Sequence, residues 1–229
     1  MTHQTSFALN EQLLNEAQAA LAPQSSLKWI VGGACSGKST VATYLSASRQ
    51  LSCIDMDSRI YGSYLQLYSR ERHPATRIWF DQDNQLQWAL SLSWEEFEEL
   101  NQATTAEILD LFAQETPPRG NKSVLVDGGI SHPALLARVV DPTRIVCLRR
   151  PQKACSNSWE EDENRAQMKQ IILALPDGAQ AWKKFLHFDT MLSRTIAEQC
   201  TQNGITIIDI QEDESIATTA QRIATHFSL

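Results

Sequence analysis

Apolar and polar positions along the chain follow two alternating periods. Five short apolar runs have strand length, at residues 27–31, 51–54, 123–126, 144–148 and 205–208. Helical spacing fills the intervals between them. Alternating strands and helices of this kind predict a parallel sheet covered on both faces. A helix is expected over residues 7–22, with Phe7, Leu13, Leu14, Ala17 and Leu21 on one side. Another starts near Lys38 and carries Val41, Tyr44 and Leu45 at core-facing spacing. Ser93-Trp94-Glu95-Glu96 has the pattern of a capping box, opening a helix that runs to about Glu115 and is stopped by Pro117-Pro118. Ser158-Trp159-Glu160-Glu161 repeats that pattern before Met168, Ile171 and Ile172. Pro176-Asp177-Gly178 makes a turn. A helix with Trp182, Phe185, Leu186, Leu192 and Ile196 follows it and closes on Asn203-Gly204, and a last helix starts near Ser215.

Two intervals exceed what a plain crossover needs, residues 58–122 and 149–204. In an open α/β sheet, ligands sit beyond the carboxyl ends of the strands. Insertions there are placed to cover and select a substrate. The expected organisation is an N-terminal helical extension, 1–26, and one domain, 27–229. Within that domain, 58–122 is the acceptor-binding region, and 149–204 holds a lid region and the helix after it.

Candidate chemistry begins at the end of the first strand. Gly32-Gly33-Ala34-Cys35-Ser36-Gly37-Lys38-Ser39 satisfies the phosphate-loop pattern G-x-x-x-x-G-K-S/T. Its glycines let the backbone N–H groups approach phosphate oxygens, and the helix that follows points its positive end at them. Lys38 supplies an ammonium to the β- and γ-phosphates. The Ser39 hydroxyl is placed to ligate Mg²⁺, and Thr40 to bond the α-phosphate. The apolar run before the loop and the amphipathic helix after it are the context this motif requires. Cys35 is expected to contribute through its backbone N–H.

Asp55-Met56-Asp57 follows the second strand, 17 and 19 residues beyond Lys38. An extended segment would put both carboxylates on one side, facing the loop. One would then hold a magnesium water, and the other would orient an acceptor hydroxyl or take its proton. The competing expectation is that one or both cap a helix at Ser58. The third motif, Val124-Leu125-Val126-Asp127-Gly128-Gly129, sets an acid at the end of an apolar strand beside the loop, as Mg²⁺ coordination through water needs. Its glycines let the backbone approach a ligand, and a strand-ending turn is the alternative.

Together these motifs resemble the P-loop small-molecule kinases, the shikimate kinase and gluconate kinase group first and nucleoside monophosphate kinases further off. The resemblance implies an α/β three-layer sandwich whose five parallel strands run in the order 2-3-1-4-5. It also implies ATP and Mg²⁺ as cofactors and phosphoryl transfer to a small hydroxylated metabolite. By motif, Asp57 would contact the acceptor and Asp55 would help hold magnesium. Gly128 and Gly129 match two positions of that family's glycine run near the acceptor. Asp127 stands where the family has a small residue. An arginine-bearing lid would come from the stretch with Arg149, Arg150, Lys153 and Arg165. Arg149 and Arg150 are equally readable as a charge pair at a strand end, and Arg165 as a surface residue of a helix. The acceptor region, with Trp79, Trp88, Trp94, Arg70, Arg72 and Arg77, matches nothing in that family and leaves the acceptor open. A P-loop ATPase or nucleotide-binding regulator, a nucleoside or nucleotide kinase, and a toxin-like sugar-nucleotide kinase remain as alternatives.

Composition narrows the partners. The 229 residues are 42% hydrophobic and 21% charged, ordinary for a globular protein. A net charge of −7 argues against a broad basic surface for nucleic acid. No run reaches the roughly 20 apolar residues of a membrane span, and the first ten residues lack a signal-peptide pattern. The five cysteines, 35, 53, 147, 155 and 200, form no C-x-x-C pair, which favours a reducing cytoplasm. Cys53 and Cys147 are expected in the core. No histidines pair at metal-ligand spacing, and His73 and His132, each followed by proline, are expected in turns. Oligomeric state is left open.

Overall fold

The computed structural model describes residues 7–115, 122–151, 159 and 163–229. In chain order, the elements that concern the site are α1 (Glu11–Leu21), β1 (Leu27–Val31), α2 (Lys38–Arg49), β2 (Ser52–Asp55), α3 (Met56–Ile60), α4 (Pro74–Phe80), α5 (Gln85–Ala89) and α6 (Trp94–Gln114). They continue with β3 (Val124–Asp127), α7 (Pro133–Val139), β4 (Ile145–Arg149), α8 (Glu163–Leu173), α9 (Gly178–Gln202), β5 (Thr206–Asp209) and α10 (Ile216–Phe227).

The five strands are parallel and lie in the order β2-β3-β1-β4-β5. Strand alternation sorts their side chains into two cores. Leu27, Trp29 and Val31 of β1, Val124 and Val126 of β3, and Ile145 and Cys147 of β4 face α1, α6, α7 and the end of α9. Ile30, Leu125, Val146 and Leu148 face α2 and α10. The result is a three-layer α/β sandwich with β1, and therefore the loop after it, at the centre of the sheet.

Four strands end one residue later than the apolar runs, on Asp55, Asp127, Arg149 and Asp209. Hydrophobicity marks the buried part of a strand, whereas the ladder continues onto a charged residue at the sheet's rim. Asp55 pairs with Asp127 and Arg149 with Asp209 across neighbouring strands.

The first helix starts at Glu11 rather than near residue 7. The Asn10 side chain accepts the N–H groups of Gln12 and Leu13 and so caps it there. Phe7 lies outside the helix and packs with Ala75, Leu92, Leu100 and Ala103. Leu14, Ala17 and Leu21 of α1 join the main core. The buried Arg144 guanidinium donates to the carbonyl oxygens of Ala22 (3.0 Å) and Gln24 (2.7 Å) at the helix's end, where a cation complements the dipole. Tyr44 is exposed rather than core-facing. Cys53 is also exposed, because β2 is an edge strand; Cys147, on the inner β4, is buried as expected.

The capping box at Ser93 and Glu96 forms, and α6 runs as its pattern predicts. The corresponding box at Ser158 lies outside the described residues, as does Lys153. Two buried acids of α6 fasten the preceding segment to that helix. Glu107 accepts the N–H groups of Ala75 (2.9 Å) and Thr76 (2.7 Å) at the start of α4. Asp110 accepts from Arg72 and His73. His73 and His132 stand at the N-caps of α4 and α7, each with proline at the first helical position.

Candidate active site

The loop between β1 and α2 has the conformation its composition allows. Gly32 (φ 144°) and Gly37 (φ 83°) occupy backbone regions that side chains disfavour. Packing adds a second constraint. A Cβ on Gly32 would lie 2.3 Å from the Leu148 carbonyl oxygen, and one on Gly33 would lie 2.2 Å from Ser193 Oγ. The loop is thus pressed between β4 and α9. Cys35 takes a left-handed conformation (φ 60°), and its buried side chain packs beside Trp159, Ile172 and Trp182. Its role in the fold is therefore larger than a backbone donor's. Ser36 is buried, with no hydrogen-bond partner for Oγ among the described residues.

Lys38 turns back over the loop, donating from Nζ to the Gly33 carbonyl at 2.9 Å. Burial lowers its pKa, and Asp127 and Asp57 oppose that shift. Asp127 is buried at the end of β3, and its Oδ1 lacks a partner among the described residues. Burial raises its pKa, against Ser39 and Lys38. The unpartnered Asp127 carboxylate and the Ser39 hydroxyl are oxygen ligands of the kind a hydrated divalent cation takes.

Asp55 and Asp57 do not lie on one extended segment, because α3 begins between them at Met56. Asp55 is its N-cap: Oδ1 accepts the Ser58 N–H (3.1 Å) and Oδ2 accepts the Ser58 hydroxyl (2.6 Å). The helix start turns Asp57 towards the loop after β3, where Oδ1 accepts the Gly129 N–H at 3.0 Å. Gly128 (φ 80°) leaves room for that carboxylate, since a Cβ there would meet Asp57 Oδ2 at 2.6 Å. Asp57 is open to solvent but enclosed by concave walls, which raise its pKa, while Lys38 and the Gly129 N–H act to lower it.

These groups surround a cavity of about 540 Å³, lined by the phosphate loop from Gly32 to Thr40 except Ser36, by Asp57 and Gly129, and by Arg165. Gly128, Asp55 and Asp127 stand behind that lining. On the far side, beyond β4 and β5, lies a broader groove of about 880 Å³ bordered by Arg149, Arg150 and Ile210. Arg149 is a strand-end charge pair, with Nε and Nη2 donating to Asp209 at 2.5 and 2.9 Å. Arg150 borders the groove, away from the Asp57 cavity. Arg165 joins Lys38 at the cavity, with its guanidinium 4.4 Å from the Trp159 ring centroid.

Two groups here were not singled out by motif. Asp189 of α9 accepts the Trp159 indole N–H at 2.9 Å; burial raises its pKa, against Trp159, Arg165 and Lys38. Asn101, Thr104 and Ile108 line the cavity from α6, and Asn101 Nδ2 has no partner among the described residues. Their spacing of three and four residues was readable once α6 was assigned, but nothing in it indicated which face meets the site. His132 is buried near Glu98 (3.8 Å) and is not part of the cavity wall. Among the described residues, no group of three His, Cys, Asp or Glu side chains forms a metal-binding cluster, and no helix is long and apolar enough to cross a membrane.

No protein-family model matches the chain, and no curated protein matches it. Among solved structures, it is similar to shikimate kinase from Acinetobacter baumannii in complex with shikimate. The TM-score is 0.42 at 17% identity, over 91% of this chain and 95% of that chain.

Proposed function

We propose that the chain is an ATP- and Mg²⁺-dependent phosphotransferase that moves the γ-phosphoryl group to a hydroxyl of a small molecule. The observation that carries this reading is the meeting of Lys38, Ser39, Asp57 and Asp127 around the phosphate loop. Phosphoryl transfer asks the protein mainly for positioning and charge stabilisation. Attacking and leaving oxygens lie in line, so acceptor and nucleotide must approach the phosphate from opposite sides. The sheet order suits that arrangement. With β1 central, the Asp57 cavity lies on the β3 and β2 flank, and the groove by Arg150 and Ile210 on the β4 and β5 flank. The nucleoside end would occupy the groove.

In this scheme the loop amides and Lys38 hold the β- and γ-phosphates. Ser39 would ligate Mg²⁺, which supplies charge neutralisation when bound, and Asp127 would hold one of its waters. Asp57 orients the acceptor hydroxyl and receives its proton, with Gly129 fixing its carboxylate. Arg165 adds positive charge at the transferring group. Asp55 supports Asp57 by capping α3, a smaller role than direct magnesium binding. Arg149 shapes the groove through Asp209. Four described cysteines are free thiols, which suits work in a reducing cytoplasm.

The test is a screen of hydroxylated compounds with Mg·ATP, scored by formation of a phosphate ester, with Lys38→Ala as control. Ester formation that disappears in the variant supports the reading. ATP hydrolysis without any ester, at a rate indifferent to every acceptor, would instead favour an ATPase.

A further inference from the structure

The cavity at Asp57 adjoins a second chamber of about 420 Å³, and Tyr61, Trp79 and Leu192 line both. The second chamber is enclosed by α5, α6, α8 and α9. Leu86, Ala89, Leu90, Phe97, Phe185 and Phe188 dominate its lining, and Gln85 and Asp189 are its only amide or charged side chains among the described residues. For scale, an apolar cavity of about 150 Å³ admits benzene.

The described arginines of the acceptor region are already engaged. Arg59 pairs with Glu115, Arg70 with Asp81, Arg72 with Glu16 and Asp110, and Arg77 with Asp81. Among the described residues of 58–115, no arginine lines either compartment; the cations at the Asp57 cavity are Lys38 of the phosphate loop and Arg165 of α8, which the phosphotransferase reading assigns to the phosphates. The two compartments thus differ in kind. One offers Lys38, Asp57, Asn101, Thr104 and Arg165 to polar groups, and the other offers rings and aliphatic chains.

We infer that the acceptor is an amphiphilic alcohol, whose aromatic or aliphatic body fills the chamber between α5 and α9 while its hydroxyl reaches Asp57. This deepens the phosphotransferase reading and rests on it for the role of Asp57. Burying such a body removes apolar surface from water on both sides, which a sugar cannot match.

Phenylethylene glycol and ethylene glycol, which differ only by the ring, are suitable probes. Each is titrated calorimetrically into the full chain, with and without Mg²⁺ and a non-hydrolysable ATP analogue. The phenyl compound should bind about tenfold to a hundredfold tighter. Ala89→Trp, which fills the chamber, and Met168→Lys, which charges the wall that α8 contributes, should each remove that advantage and leave nucleotide affinity unchanged. Equal affinity for the two diols, or an advantage that survives both variants, overturns the inference. Phosphate-ester formation is measured separately with Mg·ATP. Selective binding without ester would uphold the chamber and refute the kinase. Ester formed on polar alcohols alone, with no phenyl advantage, would do the reverse.

Discussion

The Asp57 carboxylate accepts the Gly129 N–H at 3.0 Å, joining the start of α3 to the loop after β3. Neither residue is placed for chemistry by its own strand. The short helix turns Asp57 inward, and two left-handed glycines open the space it enters. Asp57→Asn keeps an oxygen for Gly129, so the loop should hold and nucleotide affinity should change by no more than about twofold. Loss of the proton acceptor should lower phosphoryl transfer about a hundredfold or more. Single-turnover kinetics beside nucleotide titration separate the two effects.

Gly33 is fixed by contact with α9 rather than by its backbone angles. Its missing Cβ would lie 2.2 Å from Ser193 Oγ and 2.8 Å from Ser193 Cβ. Gly33→Ala should therefore displace the loop and weaken nucleotide binding. Adding Ser193→Gly, which removes both atoms, should restore much of it. Nucleotide titration of the single and double variants measures that coupling.

Asp127 bears a carboxylate that is buried, with one oxygen unpartnered among the described residues. Function is expected to cost stability here. Asp127→Asn removes the buried charge, and Asp57 remains as a counter-charge for Lys38. The ligand-free variant should melt about 2–4 °C higher, as a gain of about 1 kcal/mol produces in a domain of this size. Its Mg²⁺-dependent turnover should fall about a hundredfold. Thermal melts with and without Mg²⁺ and nucleotide check both.

Acid stability should depend on Asp110. Burial works against its charged form, and hydrogen bonds from His73 and Arg72 outweigh burial, so its pKa lies below the usual aspartate value. A carboxyl with a depressed folded-state pKa stabilises the fold above its unfolded pKa of about 3.9, and that stability is lost as pH falls from there through the folded value. Asp110→Asn should cost about 3 kcal/mol at neutral pH. The difference between variant and native protein should shrink below about pH 4. Urea unfolding at neutral and acid pH measures it.

The sheet was legible because each strand is an apolar run between helical patterns, and the order 2-3-1-4-5 came with the resemblance carried by three motifs. The loop at Gly32–Ser39 and the acid ending β3 were legible for the same reason: strand, turn and charge lie adjacent in sequence. Three features were left open or missed. That Asp55 caps a helix while Asp57 faces the cavity depends on where α3 begins. Arg149 is engaged by Asp209 from a strand 60 residues away. Asn101, Asp189 and the apolar chamber arise where α5, α6, α8 and α9 converge, and no local period encodes which of their faces meet.

Transfer itself provides the most direct test. Phosphorus NMR of native protein with Mg·ATP and phenylethylene glycol should show ADP and a phosphate monoester appearing in equal amounts, and neither with Lys38→Ala. Native protein that neither binds nor consumes the nucleotide, or a Lys38→Ala protein that forms the ester at the native rate, would contradict the assignment of this loop as the phosphate cradle.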